Sequence, residues 1–220
     1  YGKGWGGLTV NPVFVNEFKP GDTRRNASII DLAGEGITAL DDYEASFKDQ
    51  REYTGYVVKK YSPLCFADGT SASKEDGSGD FQIYNHQDYA IVRYAAVLLM
   101  AAELGSPNAQ AYFDTVRKRA YTSEGVLSPN YAALPVTPAN IMQERRLEFA
   151  FESINYWDLL RQGVDYAANK LAGEVPVFSG GSPDVVAIRA DRIRATKGLS
   201  QIPYNQITLA NGMLQQNPGW

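Results

Sequence analysis

The alternation of apolar and polar positions predicts helices in the middle of the chain, between residues 88 and 172. From Asp88 to Gly105 nearly every position is apolar or alanine, which is typical of a helix buried between neighbours. Asp88 is the expected N-cap and Gly105 the expected C-terminal stop. A short join at Ser106-Pro107 leads into a second helix, so the two should form an antiparallel hairpin. The apolar stripe of this second helix is expected at Tyr112, Phe113, Val116 and Ala120.

Three more helices are predicted downstream. The first is capped by Thr137-Pro138 and continues to about Glu152, the second covers Asn155 to Arg161, and the third covers Val164 to Leu171. Successive helix hairpins, with alanines where helices approach closely, indicate a tetratricopeptide-like stack. The stretch from Gln143 to Gly163 is interpreted as packing between helices. Its expected apolar contacts are Leu147, Phe149, Phe151, Trp157 and Leu160.

The flanking segments lack this helical period. Residues 1–87 are predicted to be loop-rich and to lie on the ligand side, with short strands in LTVNPVFV, near Ile29 and in YTGYVVKKY. Residues 173–220 are predicted to be an irregular C-terminal closure. The sequence therefore indicates one mainly α domain with long loops and a few short strands.

Composition excludes several classes of function. The net charge of −4 argues against a nucleic-acid partner, because neutralising phosphates requires a basic surface. The single cysteine excludes an intrachain disulfide and a cysteine zinc cage, and we expect no transition metal and no cofactor. Asp76 to Asp80 resembles a calcium loop in composition. It lacks the glycine at the sixth position, so it is interpreted as a solvated loop.

Catalytic chemistry has one candidate in the helical region. Glu144, Glu148 and Glu152 follow at spacings of four and would form one line along a helix. Two carboxylates at a set separation suffice for glycoside hydrolysis. Arg145 and Arg146 beside them favour ion pairs instead. We interpret the lone histidine, His86, as a surface residue, and we predict that the protein is not an enzyme.

Binding is better supported, because the chain has 14 tyrosines and 3 tryptophans. Aromatic rings on loops can stack on sugar rings while neighbouring polar groups bond the hydroxyls. The alternative is that these rings anchor long loops onto the helical body. The candidate glycan-binding residues are Tyr1, Trp5, Tyr43, Tyr53 and Tyr56.

Four ordered segments resemble the signature segments of the SusD/RagB family. They are DYAIVRYAAVLLMAAE at 88–103, FDTVRKRA at 113–120, ERRLEFAFESINYWDLLRQG at 144–163 and TKGLSQIPYNQITLANGMLQQNPGW at 196–220. GDTRR at 21–25 is similar to a further family segment. Departures from the usual family residues occur at Ala96, Ser153, Asn155 and Gln162.

The resemblance implies a SusD-like α/α superhelix of tetratricopeptide-like hairpins. Members are lipid-anchored proteins on the outer membrane of Bacteroidetes. They capture glycans, or peptides in some members, for a SusC-type TonB-dependent transporter, and they are not enzymes. This chain matches their C-terminal half, so the missing N-terminal half is an expected partner. Peptide capture, and a helical-repeat module that binds only protein, stay open as alternatives.

Overall fold

The computed structural model describes residues 9–36, 51–62 and 88–220. The helices in these ranges are α1 Pro12–Val15, α2 Arg24–Ser28, α3 Tyr94–Glu103, α4 Ala109–Ala120, α5 Pro138–Glu148, α6 Asn155–Arg161, α7 Val164–Leu171, α8 Ala190–Thr196 and α9 Tyr204–Leu209. The strands are β1 Ile29–Asp31, β2 Tyr56–Val58, β3 Thr122–Ser123, β4 Val126–Leu127, β5 Gly173–Ser179 and β6 Ser182–Ile188. The mainly helical fold class is confirmed.

The predicted hairpin of α3 and α4 is present, but α3 begins five residues later than expected. Residues 88–93 are not helical, and Arg93 has extended backbone angles, φ −130° and ψ 163°. That conformation accompanies the contacts of the Arg93 side chain with the carboxylates of Glu148 and Glu152. Gly105, with φ +76°, ends α3 as predicted. Helix α4 buries Phe113, Val116 and Ala120 as expected.

Helices α5, α6 and α7 follow the sequence signals closely. Thr137 Oγ1 accepts the backbone N–H of Asn140 at 3.2 Å, and Pro138 occupies the first turn of α5. Helix α5 ends at Glu148, about four residues before the predicted end. Phe151 and Ser153 have left-handed backbone angles, φ 65° and 62°, so the helix does not continue through them. Helices α6 and α7 have the predicted bounds.

Three apolar clusters hold the described helices together, and the smallest joins α5, α6 and α7 through Met142, Leu159 and Ala167. The other two are larger. One packs the α1 region against α5, and its members are Val10, Phe14, Val15, Phe18, Ile29, Leu147 and Ala150. The other joins α3, α4 and α5 through Leu98, Leu99, Ala102, Phe113, Val116, Ile141 and Phe149. Trp157 was expected in such a packed face, and that expectation is wrong, since its side chain is 65% exposed.

The loop-rich N-terminal part contains both a confirmed and a wrong prediction. Strands β1 and β2 form at the predicted places and pair antiparallel, with Ile30 opposite Val57. LTVNPVFV contains helix α1 instead of a strand. Asn11 Oδ1 accepts the backbone N–H of Val13 at 2.8 Å, and Pro12 fits the first helical turn, so local capping outweighs the β-branched composition.

The description of residues 173–220 as irregular is wrong. Strands β5 and β6 form an antiparallel hairpin through Gly180-Gly181, whose φ angles of 56° and 74° suit a two-residue turn. Helices α8 and α9 follow. Along the described residues, no helix has both the length and the apolar composition that a membrane crossing requires.

Candidate functional site

The first candidate site surrounds the three glutamates of the line predicted on α5. Glu144 and Glu148 lie on α5, Glu152 lies just after it, and all three are buried. Cationic side chains reach them from the α2, β2, α3 and α4 regions. We call this set the ion-pair network: Asp22, Arg24, Lys60, Arg93, Arg117, Arg119, Glu144, Glu148 and Glu152.

Glu144 lies at the most buried end of the ion-pair network. Its Oε1 accepts a hydrogen bond from Arg24 Nη1 at 2.7 Å, and its Oε2 accepts one from Arg117 Nη1 at 3.0 Å. Arg24 also donates to both carboxylate oxygens of Asp22, at 2.9 and 2.7 Å. The pKa of Arg24 is raised, because these bonds and charges outweigh the opposing effect of burial. The guanidinium of Arg24 therefore stays charged.

Glu148 and Glu152 form the other end. Arg93 donates to Glu148 Oε1 at 2.6 Å and to Glu152 Oε2 at 2.9 Å, while Arg119 binds Glu148 and Lys60 binds Glu152. Burial by itself would raise the pKa of Glu148, but the hydrogen bond from Arg93 and the surrounding guanidinium charges outweigh it and lower the pKa. Burial lowers the pKa of Lys60, and Glu152 offsets this only in part.

These contacts favour packing over hydrolysis for the glutamate line. A two-carboxylate glycosidase needs one acid that keeps its proton near neutral pH, which requires a raised pKa. Glu148 has the opposite shift and three arginine partners. The interpretation of these glutamates as interhelical ion-pair partners is confirmed. Arg145 likewise binds Asp158 across α5 and α6, at 2.8 and 3.0 Å.

A cavity of about 500 Å³ opens beside the network. Its walls include Arg24, Lys60, Arg93, Arg119 and Glu152 of the ion-pair network. Tyr61 is the aromatic side chain on its lining, and it stacks at a tilt against Tyr89 with ring centroids 5.8 Å apart. Since its arginine and lysine side chains bind Glu148 and Glu152, most of the charge on the cavity wall is neutralised internally.

The two predicted aromatic residues that the structure describes lie in the segment from residue 51 to residue 58. Tyr53 exchanges two backbone hydrogen bonds with Phe178 of β5, at 2.8 and 2.9 Å, and partial burial raises the pKa of its hydroxyl. Tyr56 lies in β2 and packs against the cluster that contains Phe14. Tyr56 therefore also has the packing role that the sequence left open as the alternative.

Tyr1, Trp5 and Tyr43 lie outside the described residues, as do His86 and Asp76 to Asp80. The segment with Tyr1 and Trp5 joins the described part at Thr9, and the segment with Tyr43 joins it at Gly36 and Arg51. Thr9 Oγ1 donates to the carbonyl of Glu52 at 2.7 Å, and Thr9 also pairs with Val57 in an antiparallel bridge. The predicted aromatic residues thus belong to segments that join the fold next to Tyr53 and Tyr56. Their role in binding stays a prediction.

A second cavity, of about 370 Å³, lies beside β1 and was not foreseen from the sequence. Its lining is rich in donors and acceptors: Arg25, Asn26, Ile29, Asp31, Gly34, Glu35 and Lys59. Arg25 donates to Asp31 Oδ2 at 2.9 Å. The Gly34 N–H bond lowers the pKa of Asp31. We call this the β1 cavity. The sequence signal for it was the turn Asp31-x-x-Gly34, which follows β1 directly.

In β1–β2, Asp31 stands directly opposite Tyr56. Asp31 of the β1 cavity is therefore the cross-strand neighbour of one predicted aromatic residue, although Tyr56 does not line the cavity. Among the described side chains, no group of three or more His, Cys, Asp or Glu is arranged to hold a metal ion.

Comparisons with known proteins agree with these features. A family model described as "SusD family" matches residues 1–220. Surface glycan-binding protein A from Bacteroides thetaiotaomicron superposes with a TM-score of 0.71 at 27% identity, over 99% of this chain and 42% of that one. Its namesake from Bacteroides fluxus gives 0.70 at 28% identity, over 100% and 42%.

A further solved structure is the Bacteroides thetaiotaomicron protein in complex with laminarihexaose. It gives a TM-score of 0.67 at 29% identity, over 99% of this chain and 42% of that one. The chain thus spans less than half the length of these relatives. No match was found among curated proteins.

Proposed function

The chain belongs to the SusD family, and from that premise we propose that it is part of a glycan-binding subunit of an outer-membrane nutrient uptake system. The observation that carries this proposal is the relative that binds laminarihexaose, which matches nearly the whole chain. The ligand class would be an oligo- or polysaccharide captured at the cell surface. The subunit would bind and release its ligand without cleaving it.

Tyr1, Trp5, Tyr43, Tyr53 and Tyr56 are the proposed stacking residues. An importer must release what it captures, so several contacts of modest strength suit it better than one tight contact. Each stacked ring would contribute about 1 kcal/mol. The β1 cavity, with its carboxylate, amide and guanidinium groups, would bond hydroxyls of the same ligand, since its Asp31 pairs with Tyr56 across the two strands. Rings and polar groups together would give the mixed surface that a sugar requires.

The proposed partners follow from the family. They are the glycan, a SusC-type TonB-dependent transporter that would receive it, and the remaining N-terminal half of the SusD fold. The proposed location is the cell outer membrane, surface-exposed and lipid-anchored. The negative net charge of this chain gives no support to a nucleic-acid partner.

Calorimetric titration with a panel of soluble glycans, laminarihexaose among them, tests the proposal. We expect binding to at least one glycan, and we expect Trp5→Ala and Tyr53→Ala each to weaken it about fivefold, the equivalent of one stacked ring. Tyr204→Ala is the matched control, because Tyr204 is an exposed tyrosine on α9. Circular dichroism confirms that each variant is folded.

Three results would contradict the proposal. Binding to extended peptides with no glycan bound would favour the peptide-capture alternative. Sugar released during incubation would indicate hydrolysis. Equal affinity in Trp5→Ala, Tyr53→Ala and Tyr204→Ala would remove these rings from the binding site.

A further inference from the structure

The β5–β6 hairpin has one face that packs on the protein and one face that is exposed. Successive side chains of a strand point to opposite faces, so Val177 and Phe178 of β5 point in opposite directions. Val177 is buried, whereas Phe178 is 48% exposed. Residues directly opposite in the register share a face, and Phe178 pairs with Pro183 while Pro176 pairs with Val185. All four are exposed, and we call them the hairpin face: Pro176, Phe178, Pro183 and Val185.

The hairpin face continues onto the segment that carries Tyr53. Tyr53 and Phe178 form an antiparallel bridge and exchange both backbone hydrogen bonds, at 2.8 and 2.9 Å. Residues that exchange both bonds stand directly opposite each other, with Cα atoms about 5.5 Å apart, and their side chains project from the same face. The Phe178 ring therefore projects beside Tyr53, on the side away from buried Val177.

The segment that carries Trp5 also reaches this part of the fold. It joins the described residues at Thr9, whose Oγ1 donates to the carbonyl of Glu52 at 2.7 Å. The N–H of Glu52 donates in turn to Ser179 Oγ, next to Phe178, at 3.2 Å. The chain segment of a second proposed stacking residue therefore begins beside the hairpin face. The exposed Glu52 adds a polar group there, so rings and hydrogen-bonding groups occur together.

The size of the hairpin face indicates what kind of ligand fits it. A stable protein partner covers roughly 20–30 residues on each side of an interface. The hairpin face has four side chains, on a sheet that is two strands wide beside the bridge to Tyr53. A face of this size suits part of an oligosaccharide, whose C–H groups can stack on the ring of Phe178. Its position beside Tyr53 makes it an extension of the proposed glycan site.

We propose that Phe178 is a further stacking residue and that the β5–β6 hairpin forms one wall of the glycan site. This inference rests on the proposed function, because it assigns the hairpin face to the same ligand. The oligosaccharide would pass from Tyr53 onto Phe178, with one sugar unit facing the Phe178 ring. Pro183, the cross-strand neighbour of Phe178, would contact the edge of the same sugar unit. Phe178 carries no hydroxyl, so it would contribute by stacking alone.

Calorimetric titration of three variants at one position tests the role of the ring. The probe is laminarihexaose, or the tightest binder of the glycan panel if laminarihexaose is not bound. Phe178→Ala and Phe178→Leu should each weaken binding about fivefold, since both remove the ring and leucine keeps the apolar bulk. Phe178→Trp should keep the native affinity or improve it. Ile188→Ala is the matched control, because Ile188 is 44% exposed on the opposite face of the same hairpin and should leave affinity unchanged.

The outcomes separate this inference from the proposed function. If the native chain binds a glycan and Phe178→Leu binds it equally well, Phe178 does not stack on the ligand and the inference is overturned, while the proposed function stands. An equal loss of affinity in Ile188→Ala would also overturn it, because the effect would then come from the hairpin as a whole. If the native chain binds no glycan of the panel, the proposed function fails and this inference fails with it. Circular dichroism identifies any variant that does not fold, and Phe178→Leu decides if Phe178→Ala is unfolded.

Discussion

Replacing Glu144 with glutamine tests whether the ion-pair network holds the fold together. The substitution keeps the size of the side chain and removes its charge. In the native protein this carboxylate bonds Arg24 at 2.7 Å and Arg117 at 3.0 Å, and the arginine side chains are each 9% exposed. After the change Arg24 still has Asp22 and Glu148. Arg117 keeps the carbonyl of Ala132, which carries no net charge.

The expected loss of stability arises because Arg117 is left without a negatively charged partner. Removing one partner of a buried ion pair costs about 3–5 kcal/mol, because the remaining charge is left uncompensated. Glutamine Oε1 can still accept one hydrogen bond, so we expect the lower end, about 3 kcal/mol. For a chain of this size, that loss should lower the melting temperature by roughly 6–12 °C.

Urea unfolding followed by circular dichroism measures the loss, with Glu103→Gln as the matched control. Glu103 pairs with Arg161 at 2.5 Å, but the pair is more open to solvent, with side chains 24% and 41% exposed. An exposed pair of this kind contributes about 0–1 kcal/mol. The two substitutions are chemically identical, so the difference between them isolates burial.

Equal losses for Glu144→Gln and Glu103→Gln would refute the reasoning. A second comparison uses Arg117→Met together with Glu144→Gln. Arg117→Met removes the guanidinium that Glu144→Gln leaves without a charged partner. The double variant should therefore lose at least about 1 kcal/mol less stability than the sum of the losses in the two single variants. Strict additivity would show that the two side chains do not act as a pair.

Other features of the fold give further expectations. The pKa of Glu148 is lowered in the folded protein, so its contribution to stability is complete above its ordinary pKa of 4.5 and is lost as the pH falls through the folded-state pKa. Urea midpoints should therefore fall more steeply in acid for the native chain than for Glu148→Gln. Arg145→Ala breaks the buried ion pair with Asp158 and should lower the free energy of unfolding by about 3–5 kcal/mol. Glycan affinity measured by calorimetry should be unchanged. Weaker binding at unchanged stability would contradict this. Gly21→Ala should destabilise by at least about 1 kcal/mol in the same urea assay, because φ is +87° and a Cβ would lie 2.3 Å from Ser128 Oγ; a neutral result would contradict the backbone described here.

Local signals in the sequence predicted the helices whose ends are set locally. Thr137-Pro138 and Gly105 mark ends that depend on capping and backbone freedom, and both predictions are confirmed. The beginning of α3 could not be predicted in this way, because Arg93 is extended and engaged with residues more than 50 positions away. The hairpin at Gly180-Gly181 carried a recognisable turn signal.

Sequence patterns could not predict which distant residues contact one another in the fold. The spacing of Glu144, Glu148 and Glu152 was visible in the sequence, and it led to the expectation that arginines would bind them. The actual partners of Glu144 are separated from it by 120 positions in the case of Arg24 and 27 in the case of Arg117. Periodicity contains no information on which distant arginine forms an ion pair with a given glutamate. The β1 cavity was missed for the same reason, since Lys59 and Asn26 meet there only after β1 and β2 pair.

Four of the five segments that resemble the family meet in one place in the structure. GDTRR supplies Asp22 and Arg24, and the segment before α3 supplies Arg93. FDTVRKRA supplies Arg117 and Arg119, and the segment beginning at Glu144 supplies the carboxylates. These motifs therefore encode the ion-pair network, which holds distant parts of the fold together. The proposed stacking residues lie outside them, so the family can be recognised from the scaffold, while under the proposed function the choice of glycan would depend on positions that the motifs do not include.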